Sequence, residues 1–472
     1  MKILIVASEA TPFSKTGGLA DVIGALPPAL AQRGERVAVV LPGYRENVYP
    51  TPLRPAFRKL SIALGPGYTV DIEETTDRGV TWYFVFCPPL FDRDGLYGSG
   101  GRDHPDNAVR FAVFCRAALA VARHLFRPDI IHCHDWQAAL APVYIRHIFR
   151  GDPTFIASKI LFTIHNLGYQ GIFLPEVLPQ IGLDSSVFTP RQMEFFGKLN
   201  LLKGAIYYSD AISTVSRSYA REIQTPELGF GLDLFLKTHA RRVVGIVNGV
   251  DYADWSPEND DFIPRPFTVD DLSGKTACKR ALMAEFGLAS GNIDRPLIGI
   301  VSRLVPQKGF DLITQIAHEL PHLHLSMAVL GSGDAAYQAV FQSLAAAYPD
   351  RFGVRIGYDN ALAHKIEAGA DMFLMPSHYE PCGLNQIYSL RYGTIPIVHA
   401  TGGLNDTIDG ETGFKFQEYS AVALLDAIRT ALAAFRDREG WRTMMRQAMT
   451  RDFSWNVAAG EYSALYRELR AG

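Results

Sequence analysis

The sequence predicts an α/β protein with two parallel-sheet domains, and three observations carry that expectation. Short apolar runs alternate with helically patterned segments, the mark of βαβ units around a mainly parallel sheet. The alternation breaks off in a stretch rich in proline and aspartate near residue 250 and then resumes, which gives two series. At 472 residues the chain also exceeds a single core, since domains run to roughly 100–200 residues. Two such series imply two Rossmann-like domains facing a deep cleft.

In the first series the runs Lys2–Ala7, Arg36–Leu41, Thr81–Phe86, Asp129–Cys133, Ile160–Ile164 and Ala211–Val215 read as strands. A helix is expected from about Leu19, with Leu26-Pro27-Pro28 kinking or splitting it, because proline lacks the N–H of the helical ladder. Asn107–Phe126 and Gln137–Ile148 carry apolar residues at helical spacing. Around the third run, Gly65–Asp106 reads as one long irregular region whose tip, Asp92–Gly98, has loop composition.

Asn248-Gly249-Val250-Asp251 ends the run Val243–Val247, and Ser256-Pro257 and Ile263-Pro264-Arg265-Pro266 follow, as a domain boundary would. Strands resume at Leu297–Val301, Leu325–Leu330, Gly353–Ile356, Asp371–Met375 and Ile395–His399. The expected division is 1–247, 248–452 and a last helical segment, 453–472, which either finishes the second domain or crosses back onto the first.

Composition excludes several classes. With a formal net charge of −3, no basic footprint for nucleic acid or an anionic membrane stands out. Cys87, Cys115, Cys133, Cys278 and Cys382 are widely spaced and include no C-x-x-C pair, which argues for reduced thiols rather than a disulfide framework or zinc ribbon. One lysine and five apolar residues before Ser8 are too short for a secretory apolar region, and no run approaches the roughly 20 residues that span a bilayer. A cytoplasmic protein without nucleic-acid or membrane partners is expected.

The candidate chemistry sits at strand ends. After the first strand comes Ser8–Val22, with Gly17-Gly18 before the helix and Lys15 just ahead of them: either a phosphate site on a helix N-terminus or an ordinary turn with a surface lysine. Arg303 and Lys308 lie five residues apart after another strand, as a diphosphate requires, although surface charges are the plainer reading. Glu380 stands at a strand-to-helix turn, where Pro381 is expected at the start of the helix and Gly383 after it. It can hold sugar hydroxyls, act as acid or base, or complement the helix dipole. Thr401-Gly402-Gly403-Leu404 is a second double-glycine turn, and His165 ends a strand, in a catalytic or a structural role.

Three further signals are set aside. Asp92-x-Asp94 resembles an acidic metal motif but lies in a loop tip. His132 and His134 share a strand face without a third ligand in view. Gly331-Ser332-Gly333-Asp334-Ala335-Ala336 fits a dinucleotide fingerprint but is not on the first strand of its domain. No metal site and no cofactor are expected.

Taken together, Lys15–Val22, His134-Asp135-Trp136, His165-Asn166, Asn248–Asp251, Ser302-Arg303-Leu304 with Gln307-Lys308-Gly309, Glu380–Leu384 and Thr401–Leu404 closely resemble the bacterial glycogen synthase and plant starch synthase family, in order along the whole chain. The resemblance implies a GT-B fold and retaining transfer of glucose from ADP-glucose to the 4-OH at the non-reducing end of glycogen or another α-1,4-glucan. It implies Glu380 and His165 as catalytic residues. Lys15, Gly17, Gly18, Asp21, Asp135, Asn166, Asn248, Arg303, Lys308, Tyr358, Cys382, Gly383, Leu384, Asn385, Thr401, Gly402 and Gly403 would bind substrate, with Tyr358 over the adenine. Where wider retaining relatives carry a second glutamate, in E-x7-E, Tyr388 stands here. A UDP-glucose transferase, a nicotinamide oxidoreductase and a non-catalytic glucan-binding protein are the alternatives.

Overall fold

The computed structural model describes residues 1–472. The chain forms two compact units, one of Met1–Val215, Ala220–Gly249 and Trp455–Gly472, the other of Ser216–Tyr219 and Val250–Ser454.

The first unit is built on a nine-stranded sheet: β1 (Lys2–Val6), β2 (Arg36–Pro42), β3 (Arg54–Ile62), β4 (Tyr68–Asp77), β5 (Val80–Phe86), β6 (Ile130–His134), β7 (Lys159–Ile164), β8 (Ala211–Thr214) and β9 (Val243–Gly245), in the order β9-β8-β7-β6-β1-β2-β5-β4-β3. From β9 to β5 every pairing is parallel. Ile3, Leu4, Ile5 and Val6 are all buried, because a parallel sheet is covered on both faces and its strands read as continuous apolar runs.

The edge departs from expectation. Gly65–Asp106 is not irregular throughout: Tyr68–Asp77 forms β4, antiparallel to β5 and to β3. β3 slips register between Pro55 and Phe57 and again between Phe57 and Leu60, and it carries Arg54, Arg58 and Lys59. A charged, bulged edge resists pairing with other chains, and it leaves no apolar period to read.

Helix α1 (Gly18–Gln32) runs as one helix through Pro27 and Pro28, where a kink or split was expected. Pro28 has no N–H for the Gly24 carbonyl one turn back. Arg78 Nη2 donates to that oxygen at 3.0 Å, which satisfies one of the two carbonyls the prolines free, and both prolines are buried within the helix.

The second unit is a parallel sheet of six strands: β10 (Leu297–Leu304), β11 (Ser326–Gly333), β12 (Phe352–Ile356), β13 (Met372–Met375), β14 (Ile395–His399) and β15 (Phe414–Phe416), in the order β12-β11-β10-β13-β14-β15. Helix α2 (Asn385–Arg391) follows β13 and helix α3 (Gly402–Thr407) follows β14.

The last helix, α4 (Trp455–Ala471), packs in the core of the first unit through Trp455, Ala458, Ala459, Tyr462, Leu465 and Tyr466, beside Leu19, Val22, Ile23 and Leu26 of α1. All five cysteines are buried free thiols. No helix is long and apolar enough to cross a membrane.

In each sheet the first strand is flanked on its two sides by chain that leaves in opposite directions, so strand order reverses between β1 and β6 and between β10 and β13. Open α/β sheets bind ligands at the carboxyl ends of strands beside such a reversal.

Candidate active site

At the reversal in the first unit, β1 runs into buried Ser8 and Glu9. Glu9 Oε2 accepts from Thr16 N at 2.5 Å and from Thr16 Oγ at 2.8 Å. A carboxylate therefore already holds the turn just ahead of Gly17-Gly18. Burial raises the Glu9 pKa above the usual carboxylate value, with the Thr16 bonds opposing it. Space for a Cβ is open at both Gly17 and Gly18, with no atom within 4 Å, and α1 starts there without a side-chain cap. Lys15 Nζ pairs with Asp21 Oδ1 at 2.7 Å. The lysine is half exposed, and ion pairs of that kind contribute only about 0–1 kcal/mol, so little opposes its transfer to a ligand.

β6 and β7 end in a connected polar group. Asp135 adopts a left-handed conformation, φ 57°, and its Oδ1 accepts from His165 N at 2.8 Å. His134 Nδ1 and His165 Nε2 are hydrogen-bonded at 2.9 Å, one ring donating to the other. Burial pushes His165 down to about 3 and His134 and His132 well below the usual imidazole value, so all three rings are neutral. His132 lies on the same strand face as His134, ring centroids 4.0 Å apart, as alternation requires. It is fixed by Tyr466 OH at 2.8 Å and Thr163 Oγ at 2.6 Å. Burial pushes the Asp135 carboxyl up to about 7, the His165 N–H opposing and the Glu9 charge adding to the rise. Asn166 Oδ1 accepts from Gly168 N at 2.9 Å, and Asn248 is buried with its Oδ1 unpartnered. Asp92 and Asp94 both face Arg45, at 2.7 and 2.9 Å.

In the second unit the ends of β10, β13 and β14 converge. Arg303, exposed at the end of β10, has no acidic partner. Lys308 Nζ meets Glu380 Oε2 at 2.5 Å, and Ser377 Oγ donates to the same oxygen at 3.0 Å. The two loops that carry this pair are fitted together. His378 N donates to Gln307 O at 2.9 Å, and Gly309, at φ 75°, has the Pro376 carbonyl where a Cβ would stand.

The double-glycine turn after β14 fits the same loop. Gly403 N donates to Glu380 O at 3.1 Å, and a Cβ on Gly402 or Gly403 would collide with the carbonyl of Glu380 or Cys382. Gly402 is left-handed at φ 45° and Gly383 at φ 73°, turns that glycine makes without strain. Thr401 N donates to His399 O at 2.9 Å, starting the turn. The expectation that Pro381 starts the helix fails: Pro381 lies ahead of it. Cys382, Gly383 and Leu384 intervene, and α2 begins at Asn385 because the chain first turns back at Gly383. Asn385 Nδ2 donates to Val301 O at 2.9 Å, pinning the start of α2 to β10. Tyr358 follows β12 with 87% of its surface exposed, a free aromatic face.

Sequence reasoning assigned no role to Glu9 or Ser377, although both lie in stretches it singled out. Each acts through a bond within its own loop, Glu9 to Thr16 and Ser377 to Glu380, whose conformation the spacing along the chain does not reveal.

Residues 2–238 match the family model described as the starch synthase catalytic domain, and residues 289–447 match glycosyl transferases group 1. The chain is 52% identical to the glycogen synthase of Koribacter versatilis, with 100% of this chain and 98% of that protein covered. The chain belongs to the glycogen synthase family. The glycogen synthase of Anaeromyxobacter dehalogenans is 50% identical over 99% of this chain and 100% of its own length. Among solved structures, the catalytic domain of starch synthase IV from Arabidopsis thaliana, bound to ADP and acarbose, matches with a TM-score of 0.89 and 34% identity, covering 100% of this chain and 99% of that one. Sucrose-phosphate synthase from Thermosynechococcus elongatus, 19% identical at a TM-score of 0.60, shares the fold. Glycogen synthase family membership makes the chain a GT-B glycosyltransferase of glycogen synthesis.

Proposed function

We propose that this glycogen synthase is a cytoplasmic enzyme that transfers glucose from ADP-glucose to the non-reducing 4-OH of an α-1,4-glucan, with retention. The observation that carries the reading is the group at the ends of β10 and β13: an unpaired Arg303 and a Lys308 ammonium held on the Glu380 carboxylate. An ammonium has three donors, so Lys308 can keep Glu380 and still bind phosphate oxygen. In this reading Arg303 and Lys308 neutralise the diphosphate. The N–H groups of Gly383, Leu384 and Asn385 face the leaving phosphate, and Tyr358 covers the adenine. Cys382, Thr401, Gly402 and Gly403 complete that wall.

On the first unit, Lys15, Gly17, Gly18 and Asp21 approach phosphate and sugar, and Asp135, Asn166 and Asn248 bind sugar hydroxyls. His165, neutral because buried, suits a hydrogen bond to the 6-hydroxyl rather than a charge. A double displacement needs a carboxylate about 3 Å from the anomeric carbon on the face opposite the leaving group. Glu380 stands instead beside the phosphate cations. The reading is therefore front-face transfer: the departing phosphate takes the acceptor proton, and fixed dipoles shield the oxocarbenium-like sugar. The ADP bound to the Arabidopsis relative supports the adenine donor.

The test is nucleotide release with glycogen and either ADP-glucose or UDP-glucose. Preference for ADP-glucose is expected. Equal or faster turnover with UDP-glucose would overturn the donor assignment, and glycogen binding without release would make this a binding protein.

A further inference from the structure

The loop that carries Glu380 is held in part by a distant stretch of chain. Ser216–Tyr219 follows β8 in sequence yet belongs to the second unit. Ser216 Oγ donates to the Pro381 carbonyl at 2.6 Å. The same oxygen accepts from Tyr219 N at 3.1 Å, which directs the hydroxyl's single proton at Pro381. Two residues on, Ser218 gives its N–H to Asp406 Oδ2 at 2.8 Å and its hydroxyl to Oδ1 at 2.6 Å, and accepts from Asn405 Nδ2 at 2.9 Å. Asp406 lies on α3, whose first residues, Gly402 and Gly403, abut the Glu380 and Cys382 carbonyls. One tetrapeptide thus bonds both the catalytic loop and the helix against which that loop leans.

We propose that Ser216 and the Ser218–Asp406 pair are positioning residues for the Glu380 carboxylate. They touch no substrate and act by fixing the Glu380–Pro381 peptide, the start of α2 being held separately by Asn385 on Val301; this rests on the reading of Glu380 given above. The physical need is local. Pro381 contributes no N–H of its own. The loop then reverses at Gly383, φ 73°. Ser216, fully buried, supplies the donor that sets the Pro381 peptide, while the bidentate, charge-assisted bonds of Asp406 hold α3 against the other side. Removing either lets the carboxylate drift from its place beside Lys308.

The test is a pair of double-mutant cycles. Ser216→Ala and Asp406→Asn are made singly and in a Glu380→Gln background, with kcat, ADP affinity by calorimetry and melting temperature measured for each. Each single variant is expected to lower kcat by about 10–100-fold, the size of effect a misplacement near 1 Å produces, while ADP affinity stays within about threefold. In the Glu380→Gln background the same changes should cost less than about threefold, because a residue that acts through Glu380 has nothing left to position. Losses that multiply fully with Glu380→Gln, or single variants within twofold of the parent, would overturn the proposal. Should Ser216→Ala melt the fold, the near-isosteric Asp406→Asn decides alone. A Glu380→Gln enzyme with unchanged kcat would instead sink the reading of Glu380, and this inference with it.

Discussion

Glu380 and His165 are the side chains whose loss should cost most in rate, and for different reasons. Glu380 is a carboxylate pinned between Lys308 and Ser377, and His165 is a ring kept uncharged by its surroundings. Glu380→Gln and His165→Ala should each lower kcat by about 100–1,000-fold or more, as removal of a preorganised electrostatic group does, with ADP-glucose still bound; steady-state kinetics alongside calorimetry checks both halves. Asp135 gives a pH signature. Its carboxyl is pushed up to about 7, so it is protonated below that pH and ionised above it. If the ionised form holds sugar hydroxyls, kcat/KM rises with pH through about 7, and Asp135→Asn should flatten that limb. A limb that persists unchanged in the variant would assign it to another group. His165 and Arg303 were singled out in sequence because each follows an apolar run closely, and Glu380 because it stands at a strand-to-helix turn, whereas Asp135 and most of the proposed substrate contacts came from the family resemblance. Glu9, Ser216, Ser377 and Asp406 were assigned no role. The Ser216 and Asp406 bonds join segments that only the folded backbone brings together, while Glu9 and Ser377 bond Thr16 and Glu380 within their own loops, and such a residue in a loop has no distinguishing spacing.

Among the elements, the double-glycine turn of α3 has no room for a side chain. A methyl on Gly403 would strike the Cys382 carbonyl, so Gly403→Ala should push the Glu380 loop aside, lowering kcat at least about tenfold and the melting temperature with it. Gly17→Ala, where nothing lies within 4 Å, should leave the melting temperature unchanged and affect only donor KM. The parallel strands were readable because burial on both faces makes them continuously apolar. The antiparallel edge of β3 and β4 was not, since half-exposed charged strands show neither a run nor a clean alternation. α1 shows the converse error: two prolines signal a break, but Arg78, 54 residues away in sequence, supplies the missing donor to Gly24.

At the scale of the whole molecule, stability should depend on acidity through the imidazoles enclosed in the first unit. His132 is neutral when folded, while the unfolded chain protonates it below about 6.5. Its contribution is therefore present above about pH 6.5 and drains away as pH falls, by up to about 1.4 kcal/mol per pH unit. Glu9 and Asp135, both raised, work in the opposite direction. His132→Gln should make the urea-unfolding free energy less steep between pH 5 and 6.5 than in the parent; identical slopes would mean that His132 takes up no proton on unfolding. The placement of α4 makes a second prediction. Tyr462 is fully buried in the first unit's core, so Tyr462→Ala should cost about 3–5 kcal/mol, as other large aromatic-to-alanine changes do. Calorimetry should show a transition shifted down and assignable by proteolysis to the first unit, with the second unit's transition in place.

α4 also sets a timetable for synthesis. The first unit's sheet is complete once Gly245 has left the ribosome, yet the helix that covers α1 arrives only with residues 455–471, about 210 residues later. At about 5–20 residues per second that is a delay of roughly 10–40 s. Meanwhile the second unit, apart from Ser216–Tyr219, is contiguous from Val250 to Ser454 and can finish folding before the first one does. A chain truncated after Ser454 should therefore protect the second unit from protease and leave the apolar face of α1 open.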